Sequence, residues 1–496
     1  MPGAKPSFLR PDLPEVFRTS DHAGASRATL RGDVRRLSRG LYTTNLDEPP
    51  EQLIRRRWLD VAEIYFPGAV LVDRSAVEGR PAKDGSLFLD AGPDRRSGAT
   101  RRLPGLVLRA RPGPGPIEGD MEFGGLYRSG QARTALDNMR ASRARSGVAR
   151  TLDRAALEEW LEALARNRGE DELLRIRDEA RRVAPLLNAE SEQLQLDRLI
   201  GAMLGTLRAP LATKAARARS SGVPYDAARA GLFDSLHGAL AGHIAPVRPE
   251  PDDPARVLAF FEAYFSNFIE GTEFLLDEAE GIVLHGAIPA GRPEDAHDVL
   301  GTFEVLTHPA LRARVPVDAD DLIGLLSELN QQILQARPAV RPGELKREPN
   351  RAGATTFVAP ELVEGTLRDA WRLYSTLSPG FARAVFAMFV VTEVHPFTDG
   401  NGRVARALAN AELSAAGECR ILVPLSYRSD YLAALRAMSR QDTTRPLLRM
   451  ADRAQRWASL IDWTDMPRAV AQLEATNALV PPDEAEERGI VLLDAK

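Results

Sequence analysis

The sequence has 496 residues but a single cysteine, Cys419, and only 6% aromatic residues. One cysteine excludes an intramolecular disulfide and a metal cluster held by several thiolates. It is compatible with a reducing compartment, and we expect a cytoplasmic protein. The longest uncharged apolar run in the region around residue 390 covers residues 384–391. A membrane span needs roughly 18 such residues, and the first residues lack an apolar segment, so we expect no membrane partner and no signal peptide.

The chain also lacks a strong excess of charge of either sign. Its formal net charge is −4, with 27% charged and 44% apolar residues. These values are ordinary for a globular protein and exclude nucleic-acid binding driven by the charge of the whole chain. A local basic patch remains compatible with them. The length predicts roughly two to four domains, each with its own core.

Arginines are concentrated near the N-terminus. Between residues 25 and 40 five arginines accompany one acid, a local balance of 5 − 1 = +4. We predict two short helices and a turn within residues 11–45, with Ser26 as a helix N-cap and an apolar stripe of Leu30, Val34 and Leu37. A winged helix-turn-helix of this kind would contact DNA through residues 24–45. A solvated basic helix face is the alternative.

The rest of the chain changes from mixed to helical character. Short β-type runs at residues 68–76, 86–91 and 103–110 are separated by Gly, Pro and Asp. After about residue 190 apolar residues recur at helical spacing. We therefore predict a multidomain protein: an N-terminal α/β region with a winged helix-turn-helix, then an all-α core with a β-hairpin flap. The predicted boundaries are 1–50 (winged helix), 51–190 (α/β region), 191–250 (helical connector), 251–460 (helical core) and 461–496 (C-terminal extension).

One segment, "HPFTDGNGRVAR" at residues 395–406, combines several reactive groups. Pro396 disfavours helical geometry at His395, so a preceding apolar helix should end there. Gly400 and Gly402 can adopt positive φ, which lets successive amides converge on an anion. A helix should follow and direct its N-terminal dipole at the same place. The segment is typical of phosphate binding, and we find no Walker-type lysine motif.

The same segment resembles the signature of the Fic family, H-x-F-x-[DE]-G-N-G-R-x-x-R, at every specified position. The resemblance implies a nucleotidyltransferase that moves AMP from ATP to a Ser, Thr or Tyr hydroxyl of a protein, including the protein itself as a target. It implies the following roles: general base for His395, buried anchor for Phe397, Mg²⁺ ligand for Asp399, anion hole for Gly400, Asn401 and Gly402, and β- and γ-phosphate contacts for Arg403 and Arg406. Other nucleotide donors stay open, because the signature holds phosphates and not a base.

Residues 266–271 resemble the inhibitory motif of the same family, [ST]-x-x-x-E-[GN]. Ser266 and Glu270 are four residues apart and would share one helix face. The resemblance implies that Glu270 contacts Arg406, and that Ser266, Glu270 and Gly271 form an inhibitory helix end. A carboxylate at Arg406 would then exclude the γ-phosphate of ATP. An ordinary surface pair is the alternative.

Residues 346–363 resemble the flap of that family, in which an exposed strand pairs with the main chain of the target. Thr355, Thr356, Phe357 and Val358 suit such a strand, and an ordinary hairpin is the alternative. Further along the chain, Tyr431 is a candidate wall of the nucleoside pocket.

The first 185 residues separately resemble the winged-helix antitoxins of the AbiEi type, in the segments "ASRATLRGDVRRLSRGLY" and "LVDRSA". This resemblance implies DNA or partner binding. Three functions therefore stay open: a self-inhibited protein adenylyltransferase, a DNA-binding regulator or antitoxin whose Fic half senses nucleotide, and an enzyme that removes AMP from modified proteins.

Overall fold

The computed structural model describes residues 13–94, 98–144, 147–251, 255–353 and 355–495. The chain divides into two compact units, Met1–Gly222 and Val223–Lys496. This division falls inside the range 191–250 that the sequence predicts as a helical connector. The first unit contains α-helices and sheets, and the second is mostly helical. The predicted order of an α/β region followed by a helical core is confirmed.

The first unit begins with a small antiparallel sheet in the strand order β1-β3-β2. Its elements are β1 (Val16–Arg18), α1 (His22–Arg31), β2 (Arg35–Ser38) and β3 (Leu41–Thr43). Residues 11 and 12 of the predicted helical pair lie outside the described residues, and residues 13–45 hold one helix rather than two.

The predicted helix N-cap and apolar stripe in this region are wrong. Asp21, not Ser26, caps α1, because its carboxylate accepts the Gly24 amide. Gly32 ends the helix at φ 79, so the residues after it pair as a strand. Leu30 consequently stays 86% exposed.

A mixed sheet in the order β6-β7-β5-β4-β9-β8 forms the centre of the first unit. Its strands are β4 (Val70–Leu71), β5 (Ser86–Asp90), β6 (Ala99–Leu103), β7 (Leu106–Arg111), β8 (Met121–Phe123) and β9 (Leu126–Arg128). The predicted β-type runs 86–91 and 103–110 correspond to β5 and β7. Of the run 68–76 only Val70–Leu71 is a strand, β4, because a helix begins at Asp73. The three strands are neighbours in the sheet, where β5 runs parallel to β7 and antiparallel to β4.

Helices complete the first unit. They are α2 (Pro50–Arg56), α3 (Trp58–Tyr65), α4 (Asp73–Glu78), α5 (Gln131–Met139), α6 (Arg154–Arg168), α7 (Asp171–Leu187), α8 (Glu190–Met203) and α9 (Lys214–Ser220). The apolar faces of α5 to α8 share one core cluster, and the central sheet packs on a second.

In its described residues the second unit consists of helices and one short hairpin, β10 (Arg351–Ala352) and β11 (Thr355–Thr356). The helices are α10 (Ala227–Ala241), α11 (Ala255–Ile269), α12 (Leu276–His285), α13 (Pro293–Thr307), α14 (Ala319–Leu334), α15 (Val363–Tyr374), α16 (Phe381–Val394), α17 (Asn401–Ala415), α18 (Arg428–Gln441), α19 (Thr444–Ala458), α20 (Met466–Ala475) and α21 (Pro482–Arg488). Short 3₁₀ turns lie at Pro338–Val340, Pro360–Leu362 and Leu425–Tyr427.

The antiparallel pair α16 and α17 lies at the centre of this helical unit, with α10, α11, α13 and α14 packed around it. Phe386 and Phe389 on α16 meet Phe233 of α10 edge-on, and Leu408 of α17 is fully buried. Because the loop between α16 and α17 is the segment 395–400, this core fixes both ends of the predicted phosphate site.

The described part of the predicted extension, residues 461–495, belongs to the same core as the preceding helices. Trp463, Leu473 and Leu492, all from the predicted extension 461–496, are buried in the hydrophobic cluster of the second unit. Among the residues that the structure describes, no helix combines the length and the apolar character that crossing a membrane requires.

Candidate active site

The connection between α16 and α17 begins at His395. The helix α16 ends at Val394, and His395 adopts a left-handed conformation at φ 54 while its amide still bonds the Val391 carbonyl at 3.0 Å. Positive φ is uncommon for a residue with a side chain. Pro396 explains the position of the break, because it disfavours a helical conformation at the residue before it. The predicted helix end at His395 is confirmed.

The side chain of Asn401 closes the loop that follows. It accepts the Phe397 amide at 2.8 Å and donates to the Phe397 carbonyl at 2.9 Å. Phe397 is 1% exposed and packs beneath the loop. Asn330 of α14 adds a third bond, from its side-chain amide to the Asp399 carbonyl at 2.9 Å. These bonds hold the loop against the helical core, so the groups on it have fixed positions.

The two glycines of the loop have different roles. Gly400 has φ 78 and is the residue that caps α17. Gly402 lies in the first turn of α17, so the predicted positive φ at both glycines is wrong for this one. The first-turn amides of a helix have no acceptor within the helix, and the helix dipole is positive there. The start of α17 therefore offers an anion site formed by backbone groups.

Arg406, one turn into α17, is bound by the end of α11. Its Nη2 donates to Glu270 Oε1 at 2.7 Å and to the Ser266 carbonyl at 2.9 Å, and its Nε donates to Ser266 Oγ at 3.0 Å. Tyr431 of α18 contributes its hydroxyl, 3.4 Å from Nη1. The predicted contact between Glu270 and Arg406 is present. Gly271, at φ 88, lies in the turn just after the helix.

The Glu270 carboxylate lies directly over the start of α17. A Cβ added to Gly402 would overlap Glu270 Oε1, and it would lie 3.0 Å from Arg406 Nη1. Burial by itself raises the pKa of the Glu270 carboxyl, but Arg406 outweighs burial and holds that pKa below its usual range. The carboxylate is therefore ionised and occupies the anion site at the helix N-terminus.

Arg403 has a different set of acceptors from Arg406. It is 3% exposed, and its Nη1 donates to Asp298 of α13 at 2.6 Å and to Asn267 at 3.2 Å. Its Nη2 lies 3.4 Å from Asp399. Asp298 also accepts the Nε of Arg337 at 2.9 Å. Arg403 is thus fixed by a buried carboxylate that no sequence motif indicated, because Asp298 looks like any polar residue of a helix.

The imidazole of His395 is held by a hydrogen bond and by an aromatic ring. Its Nδ1 lies 3.2 Å from the Thr392 carbonyl, which can only accept, so Nδ1 carries the proton and Nε2 is the free base. Phe357 stacks on it, with ring centroids 3.8 Å apart and planes 5° apart. Burial lowers the pKa of His395 to about 4, so the imidazole is neutral at pH 7.

The hairpin β10–β11 ends at Thr356, so the predicted strand is too long. Ala352 pairs with Thr355 and Arg351 with Thr356. Phe357 lies just beyond β11 against His395, and Val358 is 1% exposed rather than accessible. The reason is long-range packing, which draws these two apolar side chains inward. Ala354, within the predicted flap, lies outside the described residues.

Lys346 is a buried cation that the sequence analysis did not single out. It is 4% exposed, and its Nζ donates to Asn350 Oδ1 at 2.7 Å and to the Val394 carbonyl at 3.3 Å. Asn350 in turn donates to the Phe397 carbonyl at 2.9 Å. Burial lowers the pKa of Lys346 to about 7. Lys346 and Asn350 thus tie the start of the hairpin segment to the loop at His395.

Asp399 is suited to bind a Mg²⁺ ion that is shared with substrate phosphates. Its side chain is 45% exposed, and Oδ1 accepts the Gly400 amide at 2.6 Å. In the part of the chain that the structure describes, no group of three or more His, Cys, Asp or Glu could hold a metal ion. Mg²⁺ commonly uses one or two carboxylates together with water and substrate phosphates. One exposed carboxylate beside an anion site meets that requirement.

The chain is similar to several known proteins. Residues 316–413 match the model of the Fic/DOC family. The chain is 29% identical over 196 residues to the protein adenylyltransferase fic-1 of Caenorhabditis elegans, covering 38% of this chain and 38% of that relative. A Fido domain-containing protein of Dictyostelium discoideum is 36% identical over 107 residues, covering 20% of this chain and 74% of that protein.

A solved structure of Fic-1 from C. elegans superimposes with a TM-score of 0.36 at 19% identity, covering 64% of this chain and 92% of that one. The chain spans little more than a third of the length of the C. elegans relative.

Proposed function

Because the chain belongs to the Fic/DOC family, we propose that it is a protein adenylyltransferase, which transfers AMP from ATP to a Ser, Thr or Tyr hydroxyl of a target protein, itself included. One observation carries the proposal. The loop that presents the free Nε2 of His395 leads directly into the positive N-terminus of α17 and into Arg406. A base and a polyphosphate site on one rigid segment are what nucleotidyl transfer requires.

We propose the following reaction, in which attack at the α-phosphorus is taken from the resemblance to the family. His395 Nε2 accepts the proton of the target hydroxyl, and the hydroxyl oxygen attacks the α-phosphorus of ATP. The bond from the α-phosphorus to the bridging oxygen breaks, and pyrophosphate leaves. The first-turn amides of α17 and the Arg406 guanidinium bind the charged phosphate oxygens. Transfer of this kind depends mainly on alignment and charge stabilisation, which fixed groups supply.

We assign the binding of Mg²⁺ to Asp399, whose exposed carboxylate lies beside the start of α17. Bound there, the ion would neutralise phosphate charge. For Arg403 we propose β-phosphate binding through the edge of its guanidinium that leans toward Asp399.

We propose that Glu270 inhibits this reaction in the state described. Its carboxylate already accepts a hydrogen bond from Nη2 of Arg406 and lies over Gly402. A phosphate at the same place would overlap the carboxylate and repel it, so ATP can bind productively only when Glu270 moves away. Ser266 supports the state in which Glu270 contacts Arg406, because its hydroxyl accepts a hydrogen bond from Nε of the same guanidinium.

Labelling with radioactive ATP tests the activity and the inhibition together. Glu270→Gly should incorporate at least about tenfold more AMP than wild type, equivalent to about 1.4 kcal/mol of relieved inhibition. His395→Ala in the same background should abolish incorporation. Equal labelling by wild type and Glu270→Gly would refute the inhibition, and labelling that survives His395→Ala would refute the proposed base. Mass spectrometry with each nucleotide identifies the donor, and incubation with AMP-modified protein tests the removal of AMP.

We propose that the hairpin β10–β11 is a flap that aligns the target. Arg351 and Ala352 are exposed, so the backbone edge of β10 is accessible to an extended target segment. Main-chain pairing there would orient a side chain of the target without requiring one particular sequence.

The cytoplasm suits such a protein because its one thiol, Cys419, is buried and unpaired.

As a second function we propose that α1 and the turn between β2 and β3 act as a winged-helix element that binds DNA. Arg27 on α1 and Arg39 in that turn are both exposed. Exposed guanidinium groups at a helix and an adjacent turn suit phosphate contacts with salt-dependent affinity. The double variant Arg27→Ala/Arg39→Ala should weaken binding, in a gel-shift assay, to the DNA upstream of the protein's own coding sequence. The control is Arg102→Ala/Arg182→Ala, which replaces two other exposed arginines of the first unit and should not weaken binding. Equal binding by both would refute this role.

A further inference from the structure

Arg229 on α10 contacts two separate parts of the proposed active site. Its Nη1 lies 2.6 Å from Glu393 Oε1, and its Nη2 donates to the Thr356 carbonyl at 2.6 Å. Helix α10 lies outside residues 316–413, which match the family model, and outside the predicted core 251–460. One side chain from this helix therefore joins the hairpin to the end of α16.

The contact with Glu393 fixes the guanidinium firmly. Glu393 is 3% exposed, and it lies two residues before His395 in α16. A buried carboxylate needs a charged or hydrogen-bonding partner. Besides Arg229, the described residues offer Ser439, whose hydroxyl donates to Glu393 Oε1 at 3.0 Å. Since α16 is packed in the core, Arg229 has a fixed anchor at the helix end.

The contact with Thr356 continues to the imidazole. Thr356 is the last residue of β11, and the next residue, Phe357, stacks on His395 at 3.8 Å. Arg440 makes a parallel contact with the hairpin, because its Nη2 donates to Thr355 Oγ1 at 2.9 Å. The position of the Phe357 ring thus depends on a backbone carbonyl that Arg229 binds.

We propose that Arg229 is a positioning residue for AMP transfer: it binds Thr356 and Glu393 together and thereby holds Phe357 against the His395 imidazole. The inference rests on the proposed function of His395 as the base. Without Arg229 the end of β11 loses its link to Glu393, and the Phe357 ring moves off the imidazole. Water then reaches a base that is desolvated and oriented as long as Arg229 is present. Nucleotide binding, which depends on α17 and Arg406, stays as it was.

The test uses the full chain carrying Glu270→Gly, with Arg229→Gln added. We expect kcat for AMP transfer to fall at least about tenfold, which is equivalent to about 1.4 kcal/mol in the activation free energy. We expect KM for ATP to change less than about twofold. Arg372→Gln is the matched control, because Arg372 also contacts α10, through Asp234 at 3.6 Å, but on the exposed surface. A kcat for Arg229→Gln equal to that of the control would overturn the proposal.

A second variant separates positioning from simple stability. Arg229→Gln leaves the buried Glu393 without its cation, so the protein is expected to be less stable. The double variant Arg229→Gln/Glu393→Gln removes that buried charge and should recover most of the Tm. We expect kcat to stay low in the double variant. Recovery of kcat together with Tm would show a structural role only and would overturn the inference.

A measurement without turnover distinguishes failure of this inference from failure of the proposed function. NMR titration of His395 in otherwise wild-type protein should show that Arg229→Gln raises the pKa of the imidazole toward 6.5, because the ring becomes hydrated. An unchanged titration would refute the inference even if AMP transfer is intact. If Glu270→Gly transfers no AMP but the titration shifts as expected, the proposed function fails and the positioning contact stands.

Discussion

The carboxylate of Glu270 occupies the space that a side chain on Gly402 would need. The end of α11 and the start of α17 therefore meet at one point, and a Cβ at residue 402 would displace the Glu270 carboxylate from it. The same point is the anion site formed by the first-turn amides of α17. If phosphate binds there as proposed, the Glu270 carboxylate would exclude it for a steric reason as well as an electrostatic one.

This relationship predicts the effect of Gly402→Ala. In the Glu270→Gly background, the new methyl group would occupy the phosphate position, so ATP affinity should fall at least about tenfold, or about 1.4 kcal/mol. Isothermal titration calorimetry with Mg·ATP measures it. Gly324→Ala is the control, because a Cβ there would meet nothing within 4 Å. Unchanged affinity in Gly402→Ala would mean that the phosphates bind elsewhere.

The pH dependence of AMP transfer should reflect the buried imidazole. Burial lowers the pKa of His395 to about 4, so the free base is present above that pH. The acid limb of kcat/KM for Glu270→Gly should lie near pH 4 to 5 rather than near 6.5. Phe357→Ala hydrates the ring and should move that limb toward 6.5, whereas Phe357→Leu, which keeps apolar bulk, should move it less. An acid limb at 6.5 in the parent would contradict the buried geometry.

The same pKa fixes the sign of a stability effect. The unfolded chain binds a proton at His395 below about pH 6.5, and the folded chain does so only below about pH 4. Between these values the unfolded state holds more protons, so lowering the pH destabilises the protein through this group. His395→Phe should flatten that part of the pH profile of the free energy of unfolding, measured by urea denaturation. An equally steep profile in the variant would assign the effect to other groups.

Asp298 should matter for stability far more than its neighbour Asp295. Asp298 is 1% exposed and pairs with both Arg403 and Arg337. Asp298→Asn leaves the buried guanidinium of Arg403 without the carboxylate that it contacts at 2.6 Å and should cost about 3–5 kcal/mol. Asp295→Asn removes a partly exposed partner of Arg337 and should cost about 1 kcal/mol or less. Thermal and urea unfolding of the two variants compare these values, and similar losses for both would contradict the buried network.

Removal of magnesium should affect ATP binding through Asp399. In the Glu270→Gly background, Asp399→Asn should weaken ATP binding about tenfold with Mg²⁺ present and leave it nearly unchanged in EDTA. The asparagine oxygen can still accept the Gly400 amide, so the loop should keep its shape. A variant that binds Mg·ATP as tightly as its parent would place the metal on other ligands.

The sequence by itself determined the features that depend on a few adjacent residues. Pro396 predicts where α16 ends, and the run from Gly400 to Arg406 predicts the start of α17 because glycine geometry and helix propensity act locally. The spacing of Ser266 and Glu270 predicted one shared helix face. In the structure Ser266 lies on α11 and Glu270 lies just beyond its last residue, and both contact Arg406. Short β-type runs likewise predicted strands at the positions of β4, β5 and β7, because strand propensity is also a local property of the sequence.

Local signals failed where one residue outweighed the pattern around it. Leu30, Val34 and Leu37 have helical spacing, yet Gly32 ends α1 between them and Leu37 continues into β2. The flap prediction failed similarly at Val358, since burial in the core decides the course of the chain there.

Only the tertiary structure decided which charges meet. Arg229 lies 127 residues before the Thr356 carbonyl that it binds, and Arg403 lies 105 residues after Asp298. Neither pair has a signal in sequence spacing, because contacts at this separation are set by the packing of α10, α13, α16 and α17 around one core. The residues of the loop that begins at His395 are thus encoded locally. Its orientation and the contact between Glu270 and Arg406 arise from tertiary packing, which strengthens charge pairs and desolvates His395 only after the helices have packed.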